Sequence, residues 1–415
     1  MLIRARAMYP VSGPPVEDAG LWIEGGNILD CGPFADVHQR SGGSPLDLGE
    51  VIVMPGWVNA HCHLDYTGFA RQIPPPSSFT SWIQQLIALK AGWGYTEFAE
   101  SWLLGLRQLI DTGVTSLGNI EAVPELLPDT LPLSRIRISS FLEIITLRNR
   151  WPAGEAASMA ELAIERASSS LHRSGLAPHA PYTTTQELIQ QCASIARRRE
   201  WRWTLHLAES SEEQSLFLHQ SGPLYDWLRK QRDMSDTGKG SAVQWLLDTG
   251  CLGPELVLAH VNVVSHPEAK QLAEAGSHVV HCPRSHEYFQ HPTFPLDMLT
   301  RAGVNIALGT DSLASVIARR GVTPTLDMFA EARALSDAHP AVSPERIISM
   351  GTAQGAAALG YGTQVGSLRA GSFADLAVIP WNGPVKDSAD AILSHSGPVA
   401  GCMAAGNWLR GPIAA

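Results

Sequence analysis

Eight apolar segments recur through the middle of the chain, and helix-like stretches fill most of the gaps between them. The segments are VIVMPGWVNAH (51–61), TSLGNI (115–120), RIRISSFLEII (135–145), GLAPHA (175–180), WRWTLHLAE (201–209), LVLAHVN (256–262), HVVHCP (278–283) and VNIALGTD (304–311). SFTSWIQQLIALK follows the first and TTTQELIQQCASIARRRE the fourth. In the latter, Thr185 is placed to cap a helix whose face carries Leu188, Ile189, Cys192 and Ile195. Strand-then-helix, eight times over, predicts a (β/α)8 TIM barrel. A doubly wound open sheet is the alternative, but no Gly-rich phosphate loop follows any of the segments.

The two ends of the chain read differently. LWIEGGNILDCG carries a hairpin signal at Gly25-Gly26-Asn27, and ADLAVI and the residues around Gly406-Asn407 read as short strands. The expected division is a small β-sandwich built from 1–54 together with 365–415, and a barrel over 55–364.

Most of the barrel segments end on a residue that can bind a metal or move a proton. Side chains alternate along a strand, so His61 and His63 of NAHCHLD face the same way, toward the barrel mouth, and Cys62 faces the other. Two neutral imidazoles there can share one divalent cation. TLHLAES adds His206 and Glu209, LAHVN adds His260, HCPRSH adds His281 and His286, and LGTDS adds Asp311. Satisfied core histidines and a capping aspartate could explain any one of these. They do not explain the whole set in strand register, which is the pattern of a metal site at a barrel mouth.

A net charge of −10 speaks against nucleic acid and anionic membranes as partners and leaves a small-molecule substrate. The six cysteines form no CxxC pair and read as reduced thiols, with Cys62 and Cys282 as packing residues. The N-terminal MLIRARAMYPVSG lacks a long apolar run, and no later stretch suits a membrane span, so a soluble cytoplasmic protein is expected. A homodimer would be the common oligomeric outcome.

PGWVNAHCHLD, LHLAE, LAHVN, HCPRS and LGTDSLAS resemble the metal-dependent amidohydrolase superfamily, over nearly the whole chain. The branch they are most similar to holds aminohydrolases and chlorohydrolases, among them the adenosylhomocysteine, guanine and aminodeoxyfutalosine deaminases. The resemblance implies His61, His63, His206 and Asp311 as metal ligands, His260 and Asp311 acting on the attacking water, and Glu209 as proton shuttle to a substrate ring nitrogen. His179 of GLAPHAPYT falls where relatives place a substrate contact. Binuclear members carry a carbamylated lysine at a strand end. Lys90, Lys230, Lys239, Lys270 and Lys386 all lie elsewhere, which favours one metal. Zinc suits three imidazoles and a carboxylate, and iron(II) would accept the same set.

The expected reaction is hydrolytic deamination of an aminated heteroaromatic ring, a purine nucleoside-like compound such as 6-amino-6-deoxyfutalosine, with release of ammonia. A chlorohydrolase or cyclic-amide hydrolase would use the same site, and the His206–Glu209 spacing favours ring-nitrogen protonation over both. A non-catalytic scaffold is the third reading, set against by the complete ligand set. Arg284, Arg148 and Arg150 are candidates to pair with a substrate carboxylate, and His281 to contact substrate. Trp82 is expected to pack its helix or wall the pocket, and Asp65 to serve structure. His286 and Val316 stand where relatives often carry Asn, which leaves the exact substrate open.

Overall fold

The computed structural model describes every residue except 76–77, 148–151, 170, 319–320 and 413–415. The N-terminal strands are β1 (Leu2–Met8), β2 (Val16–Glu24), β3 (Asn27–Pro33), β4 (Pro45–Asp47) and β5 (Val51–Pro55). Next come β6 (Trp57–Cys62), β7 (Val114–Glu121), β8 (Arg137–Ile144), β9 (His172–Pro178), β10 (Arg202–Leu207), β11 (Leu256–His260), β12 (His278–His281) and β13 (Asn305–Leu308). The chain closes with β14 (Leu376–Pro380), β15 (Gly401–Ala404) and β16 (Asn407–Arg410).

Strands β6 to β13 pair in chain order, each parallel to the next. The seam between β13 and β6 is closed at the mouth, where Cys62 bridges Asp311 and the Asp311 amide donates to the His61 carbonyl at 3.1 Å. The predicted eight-stranded barrel is therefore present. Val58, Ala60, Ile120, Phe141, Ala177, Val257, Val280 and Ala307 form a separate apolar cluster with Ala356, Leu359 and Tyr361. This packed interior leaves only the strand ends open for chemistry.

The two chain ends build one mixed sheet, in the order β16-β15-β14-β5-β1-β2-β3 with β4 beside β1. One face of it, with Ile3, Leu21, Ile23, Val53, Leu376 and Met403, makes its own core. The other, with Ala7, Ile52, Met54 and Ala377, joins the main core around the barrel. The two chain ends thus form the separate β-rich body expected, as a single mixed sheet. Its β2–β3 hairpin turns at Gly25 and Gly26, both at positive φ, as a tight hairpin of right-twisted strands requires.

The first apolar segment differs from expectation. VIVMPGWVNAH is two strands in two sheets, broken at Pro55-Gly56. Proline ends the ladder, and a Cβ at Gly56 would stand 2.2 Å from Thr115 Cγ2, so the chain turns into the barrel where only glycine fits. The expected helices hold: Phe79–Ala91 is capped by Ser78, and Gln186–Arg199 by Thr185, whose side chain accepts from the Leu188 amide. The buried Arg137–Asp375 pair, with Nε to Oδ2 at 3.1 Å, ties the barrel floor to the terminal sheet.

Candidate metal centre

His61, His63 and His206 bring one ring nitrogen each within 4.8 Å of one another at the barrel mouth, all three buried. Asp311 Oδ1 lies 3.7 Å from His61 Nε2 and 3.6 Å from His63 Nε2. Its other oxygen is anchored: Oδ2 accepts from the Ser285 hydroxyl at 2.7 Å and the Ser315 hydroxyl at 3.1 Å. One carboxylate oxygen is thus held by the protein and the other is turned to the imidazoles.

The orientation of His206 fixes its tautomer. Nδ1 lies 2.9 Å from the His179 carbonyl, so Nδ1 carries the proton and Nε2 presents a lone pair. That Nε2 lies 3.4 Å from His63 Nε2, and His61 Nε2 is buried without a hydrogen-bond partner among the described residues. Protonating the rings does not relieve this crowding, because burial first and neighbouring imidazoles second hold His61 down to about 3 and His63 well below the ordinary range. Convergent neutral nitrogens with a carboxylate beside them fit a divalent metal ion. Burial alone would raise Asp311, but the attraction of His63 and His61 and the Ser285 bond keep it below the usual carboxylate range.

Glu209 and His260 stand next to this set. Glu209 Oε2 is 3.7 Å from His260 Nε2, and the His260 ring is 5.5 Å from that of His206. Burial pushes the Glu209 carboxyl well above its ordinary range, with Asp311 and Glu213 adding to the shift. Glu213 fixes the turn that presents Glu209, accepting from the Ala208 amide at 3.1 Å and the Glu209 amide at 2.8 Å. Asn262 Nδ2 donates to the Glu209 carbonyl, which leaves its Oδ1 to accept from His286 Nδ1 at 3.1 Å. The turns themselves are strained: Ala208, His260, Val261 and Asp311 all have positive φ. Such non-glycine conformations cost about 1–3 kcal/mol each and persist where the surroundings enforce them.

His179 also faces the triad, 4.8 Å from the His206 ring, with Nδ1 2.7 Å from Thr183 Oγ1. Trp82 is half-buried, its Nε1 donating to the Ala314 carbonyl at 3.1 Å, so its helix leans over the mouth. Asp65 is buried with neither carboxylate oxygen bonded, and burial raises it well above its ordinary value.

Other expected contacts stand apart from the triad. His281 lies flat on Phe294, ring centroids 3.8 Å apart, and borders a cleft of about 920 Å³ beside the mouth. Arg284 borders the same cleft, but its Nη1 is taken up by the Thr325 carbonyl at 2.9 Å and by buried Glu331 at 3.5 Å. A substrate carboxylate binding there would compete with Glu331 for this guanidinium. Arg148 and Arg150 lie outside the described residues. Sequence reasoning did not find Ser285, Ser315, Asn262 or Glu213. Only Glu213 had a usable signal, the Ser-x-x-Glu cap at 210–213.

A model described as the amidohydrolase family matches residues 52–409. The chain belongs to the amidohydrolase family. This amidohydrolase is 30% identical over 351 residues to the 5-methylthioadenosine/S-adenosylhomocysteine deaminase of Syntrophobacter fumaroxidans, spanning 82% of this chain and 74% of the relative. Its fold is that of a zinc-bound adenosine deaminase from Xanthomonas campestris, with TM-score 0.84, 24% identity and coverage of 100% and 93%. It is also that of Helicobacter pylori aminofutalosine deaminase in complex with methylthio-coformycin, with TM-score 0.86, 18% identity and coverage of 98% and 99%. No helix among the described residues is long and apolar enough to cross a membrane.

Proposed function

We infer that this amidohydrolase is a hydrolytic deaminase of adenine-like rings, acting on a nucleoside substituted at its 5′ position. The observation that carries this reading is Glu209: a carboxyl that burial pushes well above its ordinary range, beside the His61–His63–His206–Asp311 set and 3.7 Å from His260. Hydrolysis of an ester needs no acid in that place, whereas an aminated ring must gain a proton on nitrogen before water can add to the neighbouring carbon. A chlorinated triazine would use the same acid, and the deaminase names of the relatives favour the amine as leaving group.

His61, His63, His206 and Asp311 would hold one divalent ion, with zinc favoured by the donor set. That ion, when bound, would act as a Lewis acid and lower the pKa of water from 15.7 toward about 7. Glu209 gives its proton to the ring nitrogen. His260 faces the attacked carbon and stabilises charge developing on the incoming oxygen. Asp311 Oδ1 takes a proton from the attacking water and returns it to the departing amine, while Ser285 and Ser315 keep the carboxylate from turning away. As ammonia leaves, the added hydroxyl becomes the ring carbonyl, and the proton it gives up restores the acid form of Glu209. The products are the ring carbonyl and ammonia.

The names of the relatives support an adenine nucleoside, and the 5′ substituent separates the candidates. The benzoate of 6-amino-6-deoxyfutalosine would compete with Glu331 for Arg284, whose Nη1 that carboxylate already engages. 5-Methylthioadenosine carries no carboxylate and needs no such partner, whereas S-adenosylhomocysteine carries one on its amino-acid tail. Ammonia release from zinc-loaded protein should be measured on these three compounds, adenosine, guanine and a chlorinated triazine. Turnover of one of the adenine nucleosides, lost in Glu209→Gln, is expected. Silence on all of them, with halide released from the triazine, would overturn the deaminase reading.

A further inference from the structure

The three imidazoles of the metal set are not held in the same way. His206 has the usual support, a hydrogen bond from Nδ1 to the His179 carbonyl. His63 has none among the described residues: its Nε2 faces Asp311 and His206, and its buried Nδ1 has no hydrogen-bond partner there. A ligand ring without that bond can rotate about its Cβ–Cγ bond unless packing stops it. Here packing does: the Tyr66 ring lies on His63 with centroids 5.3 Å apart and planes only 6° from parallel. Tyr66 stands in the short helix Leu64–Phe69 directly after β6 and is 4% exposed.

Tyr66 is itself held from outside. Lys90, on the helix Phe79–Ala91, donates from Nζ to the Tyr66 hydroxyl and stands 4.7 Å from the centre of its ring. No salt bridge to a carboxylate engages Lys90 among the described residues, in contrast to Arg284 with Glu331 and Arg333 with Asp327. Phe69 closes the remaining side of Tyr66 at 5.5 Å.

We propose that Tyr66 and Lys90 are positioning residues for the metal: Lys90 fixes Tyr66, and the Tyr66 ring fixes the plane of His63, replacing the hydrogen bond that His63 lacks. The inference rests on the reading of His61, His63, His206 and Asp311 as metal ligands. It gives the lysine of a helix that leans over the mouth a role in metal retention without contact to the metal.

The test is zinc affinity, read by competition with a chromophoric chelator, together with the visible spectrum of the cobalt-substituted protein. Lys90→Met and Tyr66→Phe each break the same contact and should each weaken zinc binding by about 10-fold, the low end for loss of a supporting partner. Their combination should be no worse than either alone, because both act through one bond. Tyr66→Leu removes the stacking ring and should cost up to about 100-fold, with a broadened cobalt spectrum as His63 loses its fixed plane. If Tyr66→Leu fails to fold, the two milder variants and their combination still decide. Wild-type affinity in all of them, or fully additive losses for Lys90→Met and Tyr66→Phe, would overturn the proposal. Failure of the wild type to bind zinc at all would instead overturn the metal reading beneath it.

Discussion

Replacing Ser285 by alanine removes the 2.7 Å hydrogen bond that its hydroxyl gives to Asp311 Oδ2. The acceptor is a buried carboxylate, and hydrogen bonds to charged groups are worth about 1.5–3 kcal/mol. Ser315 supplies the second bond to the same oxygen, longer at 3.1 Å, so the single variant leaves Asp311 partly held. If the lost energy appears in the orientation of Asp311, turnover falls by about 10- to 100-fold in Ser285→Ala, at 1.36 kcal/mol per factor of ten. The Ser285→Ala/Ser315→Ala protein loses more than either single variant but less than the product, since both bonds serve one carboxylate. The acid side of the pH profile moves as well. Burial alone would raise Asp311, and the Ser285 bond is one of the interactions that hold it down, so its loss raises the carboxyl. Asp311 must be ionised to accept a proton, so activity is lost as pH falls through its pKa, and a raised pKa brings that loss to higher pH. Ammonia release across pH, at equal zinc content, measures both effects. A double variant within about two-fold of wild-type kcat, with an unmoved acid limb, would refute the claim that these hydroxyls set the carboxylate.

Glu209→Gln should lower turnover by about 10²–10⁴-fold, the usual worth of a positioned proton donor. Because burial raises Glu209, the wild-type rate should decline as pH rises through its pKa, and a pH–rate profile with no basic limb would contradict its role as acid. Arg137→Met should destabilise the fold by about 3–5 kcal/mol, since it strands buried Asp375 without its cation. Burial raises Asp375 even in the intact pair, so its charge is the costly state above its pKa. The deficit in urea midpoint should therefore narrow as pH falls and Asp375 takes up a proton, and a deficit independent of pH would count against the pair as its source.

The barrel and most of the site were legible because alternation is a strict rule. An apolar run ending in His-x-His can be placed on a face by counting, and His61, His63, His206 and Asp311 do gather at one point. Counting failed where the backbone leaves the strand geometry. The presentation of Glu209 and His260 depends on left-handed turns at Ala208, His260 and Val261, and neither alanine nor valine announces one. Pro55-Gly56 marked the break, and the expected division at 54/55 lies beside it, although VIVMPGWVNAH as a whole read as one strand. The supports of the site were hidden for another reason. Ser285 and Ser315 reach Asp311 from two separate short helices, Pro283–Tyr288 and Leu313–Ser315, and Glu331 takes the guanidinium of Arg284 from a helix 47 residues on. Such contacts follow from the closed barrel and from no local pattern.

The account stands most directly on zinc content and ammonia release measured on one preparation. Purified protein should hold one zinc per chain and deaminate an adenine nucleoside. Removal of the zinc with a chelator should stop the reaction and readdition restore it, while His206→Ala should lose both metal and activity. Ammonia release that survives complete zinc removal, or a His206→Ala protein that keeps its metal and its rate, would contradict the account.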